Sequence, residues 1–231
     1  MEISAHNLNA LNARIIACDR CPRLRAHCGE VARVRRRAYL DQEYWGRPVP
    51  SFGDPTARVL ALGLAPGAHG SNRTGRPFTG DGSGDFLYPV LHETGFASQA
   101  ESTSNQDGMK LKNLWITSVA RCAPPGNKPT IEELRNCAPW LDDEISLLRD
   151  LRVVVCLGRI AFDGLLAHAQ RKSEINSRAG YTFAHAAEYT LPSGLRVIAS
   201  FHPSLQNTNT GRLTRPMFTR IFQRAREQAG L

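Results

Sequence analysis

No stretch of this 231-residue chain approaches the ~18 consecutive apolar residues that a membrane span needs. The opening residues, MEISAHNLNALNARII, lack the basic-then-apolar order of a secretion signal, so a cytoplasmic protein with no membrane partner is expected. Internal repeats and low-complexity tracts are missing too. The length suits one domain spanning 1–231, with a core large enough to need no covalent staples. Acidic residues are the scarcer charge, 21 against 29 Lys and Arg, and the resulting +8 favours an anionic partner, of which nucleic acid is the usual one. Disulfides are not expected: thiols stay reduced in that compartment, so the six cysteines read as metal ligands or core residues.

Four short apolar runs are present, at 58–62, 114–119, 153–158 and 197–201. Each has the pattern of a strand buried on both faces of a parallel sheet. Helical periodicity alternates with them. Leu8, Leu11, Ile15 and Ile16 share one face of a helix ending near Cys18, and Phe86, Leu87, Val90 and Leu91 share another over 85–94. Thr130 and Glu133 form a capping box, opening a helix that Pro139 is expected to disturb before a second piece runs through Leu148. A terminal amphipathic helix over 214–226 turns Met217, Phe218, Ile221 and Phe222 inward. Strands alternating with helices predict an α/β fold, a three-layer α/β/α sandwich around a central, mainly parallel, four-stranded sheet. Residues 98–108 read as a surface loop, and 33–37, RVRRR, as a solvated basic face with backbone-phosphate contact as the second reading.

The first strand runs into GLAPGAHGSNRTGRPFTGDGSG, residues 63–84, whose glycines let the backbone turn tightly and approach a ligand. It lacks the Gly-Lys-Ser/Thr ending of a nucleotide P-loop, and its glycine spacing does not fit the dinucleotide fingerprint. One aromatic, Phe78, one carboxylate, Asp81, and two arginines, Arg73 and Arg76, suit an aromatic base better than a free phosphate. A second loop, RCAPPGNKP, leaves the second strand, and the last strand delivers His202-Pro-Ser204-Leu-Gln-Asn207 to the same edge. That edge is where open α/β sheets bind ligands. Cys18 and Cys21, in C-x-x-C spacing, with Cys122 and Cys137 make a plausible four-thiolate site, for zinc or for an iron-sulfur cluster; spacing does not choose between them. Cys28 is a third nearby thiol, and Cys156 reads as a small buried hydrophobe within a strand.

The run GLAPGAHGSNRTGRPFTGD, taken with His202-Pro203-Ser204, resembles the two active-site motifs of the uracil-DNA glycosylase superfamily, in its family 5, or type B, branch. Leu64 stands where the family 4 motif has Glu. The resemblance covers most of the chain, from about Cys18 to about Thr214. It implies an enzyme that extrudes a base from duplex DNA and hydrolyses its N-glycosidic bond. By resemblance, Cys18, Cys21, Cys122 and Cys137 hold a 4Fe-4S cluster, while Cys28 and Cys156 have no counterpart. Phe78 stacks on the base, with Ala65, Pro66, Gly67 and Ser118 around it. Asp81 offsets positive charge on the sugar or orients water, helped by Asn127, and His202 donates to the leaving base. Arg73, Arg76, Ser204, Gln206 and Asn207 are expected on the DNA, with Leu205 or Gln206 as the wedge. Leu64 and Ser118, where stricter relatives carry polar readers, imply a pocket tolerant of several deaminated or modified bases such as hypoxanthine. The partner expected is duplex DNA containing uracil or related lesions, bound by a monomer. Two alternatives stand beside this reading: a narrow family 4-type uracil glycosylase, and a metal-stabilised DNA-binding module without catalysis.

Overall fold

A computed structural model describes residues 2–231. Its strands, in chain order, are β1 (Phe52–Gly53), β2 (Val59–Gly63), β3 (Leu114–Ser118), β4 (Val153–Leu157), β5 (Glu188–Thr190) and β6 (Arg196–Ser200). They form one sheet in the order β1-β3-β2-β4-β6-β5. The four expected strands are its parallel centre, with Val59 level with Leu114 on one side and Val153 on the other. Every residue of β2, β3 and β4 is buried, which is why these segments read as unbroken apolar runs. The sheet has six strands rather than four, because β1 and β5 add antiparallel edges. At two and three residues they are too short to carry a hydrophobic period, and β5 shows solvent its Glu188 and Thr190.

Side chains alternate across the sheet, so β2 sends Val59 and Ala61 to one layer and Leu60 and Leu62 to the other. The first layer contains α4 (Gly82–Glu93) and α8 (Arg215–Ala229), through Leu87, Leu91, Phe218 and Phe222. Facing the opposite side are α1 (Glu2–Ile16), α5 (Ile131–Leu147) and α6 (Arg159–Arg171), through Leu8, Leu141, Phe162 and Leu165. This is the three-layer α/β/α arrangement. Three further helices complete it: α2 (Pro22–Val34), which starts on Pro22, and the short α3 (Ser71–Thr74) and α7 (Leu205–Asn209).

Helix α5 departs from expectation. The Thr130 capping box forms, but the helix runs through Pro139 as one 17-residue element. Proline removes one helical hydrogen bond; burial of Cys137, Trp140, Leu141 and Glu144 on either side of it keeps the two halves in line.

Candidate active site and thiol cluster

At the carboxyl ends of the parallel strands lies a cavity of about 760 Å³. Leu64, Ala65, Pro66 and Gly67 enter it after β2, Ser118 from the end of β3, and Asn127 from the loop beyond. Phe78, Asp81, His202, Ser204 and Gln206 also line it, so the residues expected to touch base and sugar are brought together from four separate segments.

Phe78 sits at φ 52°, a left-handed conformation that costs a bulky residue energy and presses its ring against the strand end. Gly63 makes this possible: a Cβ there would lie 2.9 Å from Phe78 Cζ. The ring centroids of Phe78 and His202 are 5.9 Å apart. Burial pushes His202 down to about 4, so near neutral pH it is an uncharged imidazole able to donate one N–H.

Asp81 divides its two oxygens between structure and cavity. Oδ1 caps α4, accepting from the amides of Ser83 and Gly84, both at 3.1 Å. Oδ2 faces the glycine loop, where a Cβ on Gly67 would come within 2.7 Å of it and one on Gly70 would overlap it, and no donor among the described residues bonds it. Burial raises the carboxyl above its ordinary value, and the two amides offset this only in part. Asn127, at φ 58° in an exposed turn, has turn geometry and lines the cavity as well.

Three residues expected on DNA are occupied internally. Arg73 donates to the carbonyls of His69 (2.8 Å) and Gly80 (2.8 Å) and to Gln42, and lies over the Tyr39 ring. Arg76 grips Asp107 with both ends of its fork and bonds Ser102. Burial alone would raise Asp107, but Arg76 and nearby backbone amides outweigh it and hold the carboxyl well below the usual range. Both arginines are buried and use their planar donor sets to pin the polar loop, so neither is available to phosphate. Asn207 turns inward and donates to the His202 carbonyl at 2.8 Å, bracing the histidine. Ser204, Leu205 and Gln206 stay on the cavity rim.

Other cavity residues escaped the sequence reading. Arg36, Tyr39 and His69 line it too, and the His69 Nδ1 lies 3.1 Å from the hydroxyl of buried Tyr44. Arg121 also reaches the lining; behind it Glu144, fully buried, binds Arg121, Ser51, Thr117 and the Trp115 indole. A buried arginine cannot be inferred from its position after a strand.

The four expected thiols gather at the end of α1, the start of α2, the loop after β3 and the middle of α5. Cys21 and Cys122 pack with Leu24, Cys28 and Ala123, while Cys18 and Cys137 pack with Trp140, Leu11, Ile15 and Ala120. Asn136 donates to Cys21 Sγ at 3.7 Å. Burial pushes Cys137 up to about 11, with Cys21 and Cys18 adding to the effect. Cys122 is raised chiefly by its hydrogen bond with Cys28, a neighbour the resemblance leaves without a role. Among the described residues no three His, Cys, Asp or Glu side chains converge on the position of a single metal ion. The Trp140 indole N–H, buried beside Cys18 and Cys137, has no acceptor among the described residues, and a sulfur-rich group there would supply one.

The fold and cavity define a class of α/β protein whose cleft at the strand ends is walled by an aromatic ring, a glycine-rich backbone and a neutral histidine. Residues 50–226 match the model of the uracil DNA glycosylase superfamily. A type-5 uracil-DNA glycosylase of Thermus thermophilus is 55% identical over 94% of this chain and 96% of that protein, and one of Pyrobaculum aerophilum is 44% identical over 94% and 91%. A type-4 uracil-DNA glycosylase of Pyrobaculum aerophilum is 29% identical over 73% of the chain and 69% of its own length. The chain belongs to the uracil-DNA glycosylase superfamily, in its type-5 branch.

Proposed function

We propose that this protein removes uracil and other deaminated or modified bases, hypoxanthine among them, from duplex DNA, leaving abasic sites. It is a hydrolase of the DNA N-glycosylase class. The observation that carries the mechanism is the cavity-facing Oδ2 of Asp81, across from an uncharged His202 in the same cavity. Breaking the N-glycosidic bond builds positive charge on the sugar and negative charge on the departing base. The Asp81 carboxylate offsets the first and orients the attacking water, with the Asn127 amide, which both donates and accepts, holding that water's second position. His202 donates to the base carbonyl as negative charge accumulates there, and being already neutral it needs no proton loss to do so. Phe78 and the backbone of Ala65 and Gly67 hold the base, Pro66 having no N–H to give. Leu64 and Ser118 place little hydrogen-bonding discrimination around it, which supports the wider substrate range.

Cys18, Cys21, Cys122 and Cys137 would hold a 4Fe-4S cluster whose contribution is to tie α1 and α2 to the loop that carries Asn127. Among the described residues no helix is long and apolar enough to cross a membrane. The test incubates the protein with duplexes carrying one uracil, one hypoxanthine or no lesion, and reads alkali-labile strand breaks. Breaks at both lesions are expected. Breaks at uracil alone would overturn the wider range, and none at either would leave a binding module without catalysis.

A further inference from the structure

The cavity is larger than one extruded base requires, and Arg36, Tyr39 and His69 line it in addition to the base-holding residues. Buried Tyr44 sets the chemistry there. Its hydroxyl accepts the Arg36 backbone N–H (3.3 Å) and lies 3.1 Å from His69 Nδ1. The phenol can accept from Nδ1–H with its second lone pair or give its own proton to Nδ1; in the second arrangement, the one an anion at Nε2 selects, neutral His69 carries its proton on Nε2. Nothing among the described residues bonds Nε2. Burial, then the charges of Arg36 and Arg73, hold His69 below its ordinary value, which favours that neutral form. The Arg36 side chain is exposed and has no carboxylate partner among the described residues, whereas Arg33 in the same basic run is paired with Glu30. Arg73, also close, is fully used inside the loop. A guanidinium without a carboxylate partner and an imidazole nitrogen without a protein partner, both on the wall of one cavity, can serve a single anion.

We infer that Arg36 and His69, the latter oriented by Tyr44, form a subsite for one DNA backbone phosphate flanking the extruded nucleotide. The assignment rests on the DNA reading above. It gives the basic run 33–37 one working member, which grips the strand beside the cavity while the Asp81 side receives the sugar. Arg36 supplies the charge and His69 the direction.

The experiment measures binding of the wild-type protein, Arg36→Gln, His69→Ala and Tyr44→Phe to a duplex containing a tetrahydrofuran abasic analogue, across a salt series, with uracil release as a parallel assay. Arg33→Gln, in the same run but paired with Glu30, is the control and should bind as wild type. Arg36→Gln, at an exposed position where folding is not at stake, should weaken binding about tenfold and lower the slope of log K against log salt by about one, the signature of one lost phosphate contact. For His69→Ala a loss with little change in slope is expected, since a neutral donor releases no counterion. Tyr44→Phe should show a smaller loss, because the histidine keeps its N–H but not its orientation. For Arg36→Gln the loss falls mainly on KM. Unchanged affinity and slope in Arg36→Gln would overturn the subsite, and so would an equal effect in Arg33→Gln. A wild-type protein that released no uracil would instead overturn the reading on which the subsite rests.

Discussion

Ser118, at the end of β3, faces the cavity; Cys122, a little further along the same loop, is buried among Cys21, Leu24, Cys28 and Ala123. The two regions share a strand exit but treat polar atoms differently. On the cavity side Asp81 Oδ2 and His69 Nε2 have no protein partner among the described residues, and His202 is held uncharged. Toward the interior, Glu144 is enclosed by four donors and Asn136 reaches the Cys21 sulfur, while the Trp140 indole beside Cys18 and Cys137 is a buried donor left without an acceptor among the described residues. Asp81 and His69 are only partly buried, so water or a ligand can complete them, whereas fully buried Glu144 must be paired within the fold. That contrast separates the part of the molecule built to react from the part built to hold.

The largest expected effect is on the holding side. Serine at Cys18, Cys21, Cys122 or Cys137 should collapse folded yield and leave protein without iron or labile sulfide, whereas wild type should carry close to four of each per chain if the 4Fe-4S assignment is right. Alanine at Cys156, deep in the β4 core, or at Cys28 should cost less yield and leave the iron in place. Equal losses across all six cysteines, or zinc in place of iron, would remove the basis for the thiol cluster.

On the reacting side, Asp81→Asn keeps the cap, since asparagine caps a helix about as well as aspartate, and removes only the charge. A fall of roughly 10²–10⁴-fold in single-turnover rate is expected, with stability little changed. The pH profile sharpens this. Asp81 must be ionised to act, and its carboxyl is raised, so wild-type rate should decline with acid earlier than an ordinary aspartate would dictate. Asp81→Asn should lose the part of that limb that Asp81 sets, leaving whatever decline the charging of His202, held down to about 4, causes. Near-wild-type cleavage would reduce Asp81 to a cap and move the chemistry to His202 and Asn127.

Arg121→Met tests the interior with all four thiols kept, although the Arg121 charge is also felt at Cys137. It leaves Glu144 charged and buried with no cation, a change that costs about 3–5 kcal/mol when a buried pair loses one member. The denaturant midpoint reports it. A loss below about 1 kcal/mol, the value of an exposed pair, would mean that water reaches Glu144 and that the interior is not closed as the contrast requires.

Much of this was legible in the sequence, for identifiable reasons. The central strands show themselves because both faces are buried, and the Asp81, Phe78 and His202 positions because a motif fixes their neighbours. Edge strands β1 and β5 escape because two or three residues hold no period. Pro139 misleads because local propensity cannot weigh the packing of Trp140 and Leu141 that carries the helix past it. Arg73 and Arg76 mislead for a related reason: an arginine in a glycine-rich loop reads the same whether its fork grips phosphate outside or carbonyls and Asp107 inside. Only the folded loop shows that the inward use won. His69 stood in the motif, but its partner Tyr44 lies 25 residues away in sequence, beyond any local pattern.

The smallest expected effect concerns what the cavity discriminates. Ser118 presents one short hydroxyl near Gly63, in register with it across β2 and β3, and Leu64 beside it offers no hydrogen bond at all. On the proposed reading such a wall would accept bases that differ in their edge groups, because few of its groups would be left unpaired when the wrong edge enters. Ser118→Asn would add an amide that donates and accepts, matching a pyrimidine edge with one N–H and one carbonyl in line. For uracil the added pairing is worth about 1 kcal/mol, while for hypoxanthine the same amide is misplaced and partly unpaired. The ratio of uracil to hypoxanthine release should then rise about tenfold, from roughly 1.4 kcal/mol of differential stabilisation. Competition between the two lesions in one reaction measures that ratio directly, free of differences in active enzyme fraction. An unchanged ratio with both rates preserved would place Ser118 outside the base-reading wall and leave breadth to Leu64. A fall in both rates by the same factor would mark Ser118 as a packing residue beneath Phe78, where the reacting side borrows its rigidity from the holding one.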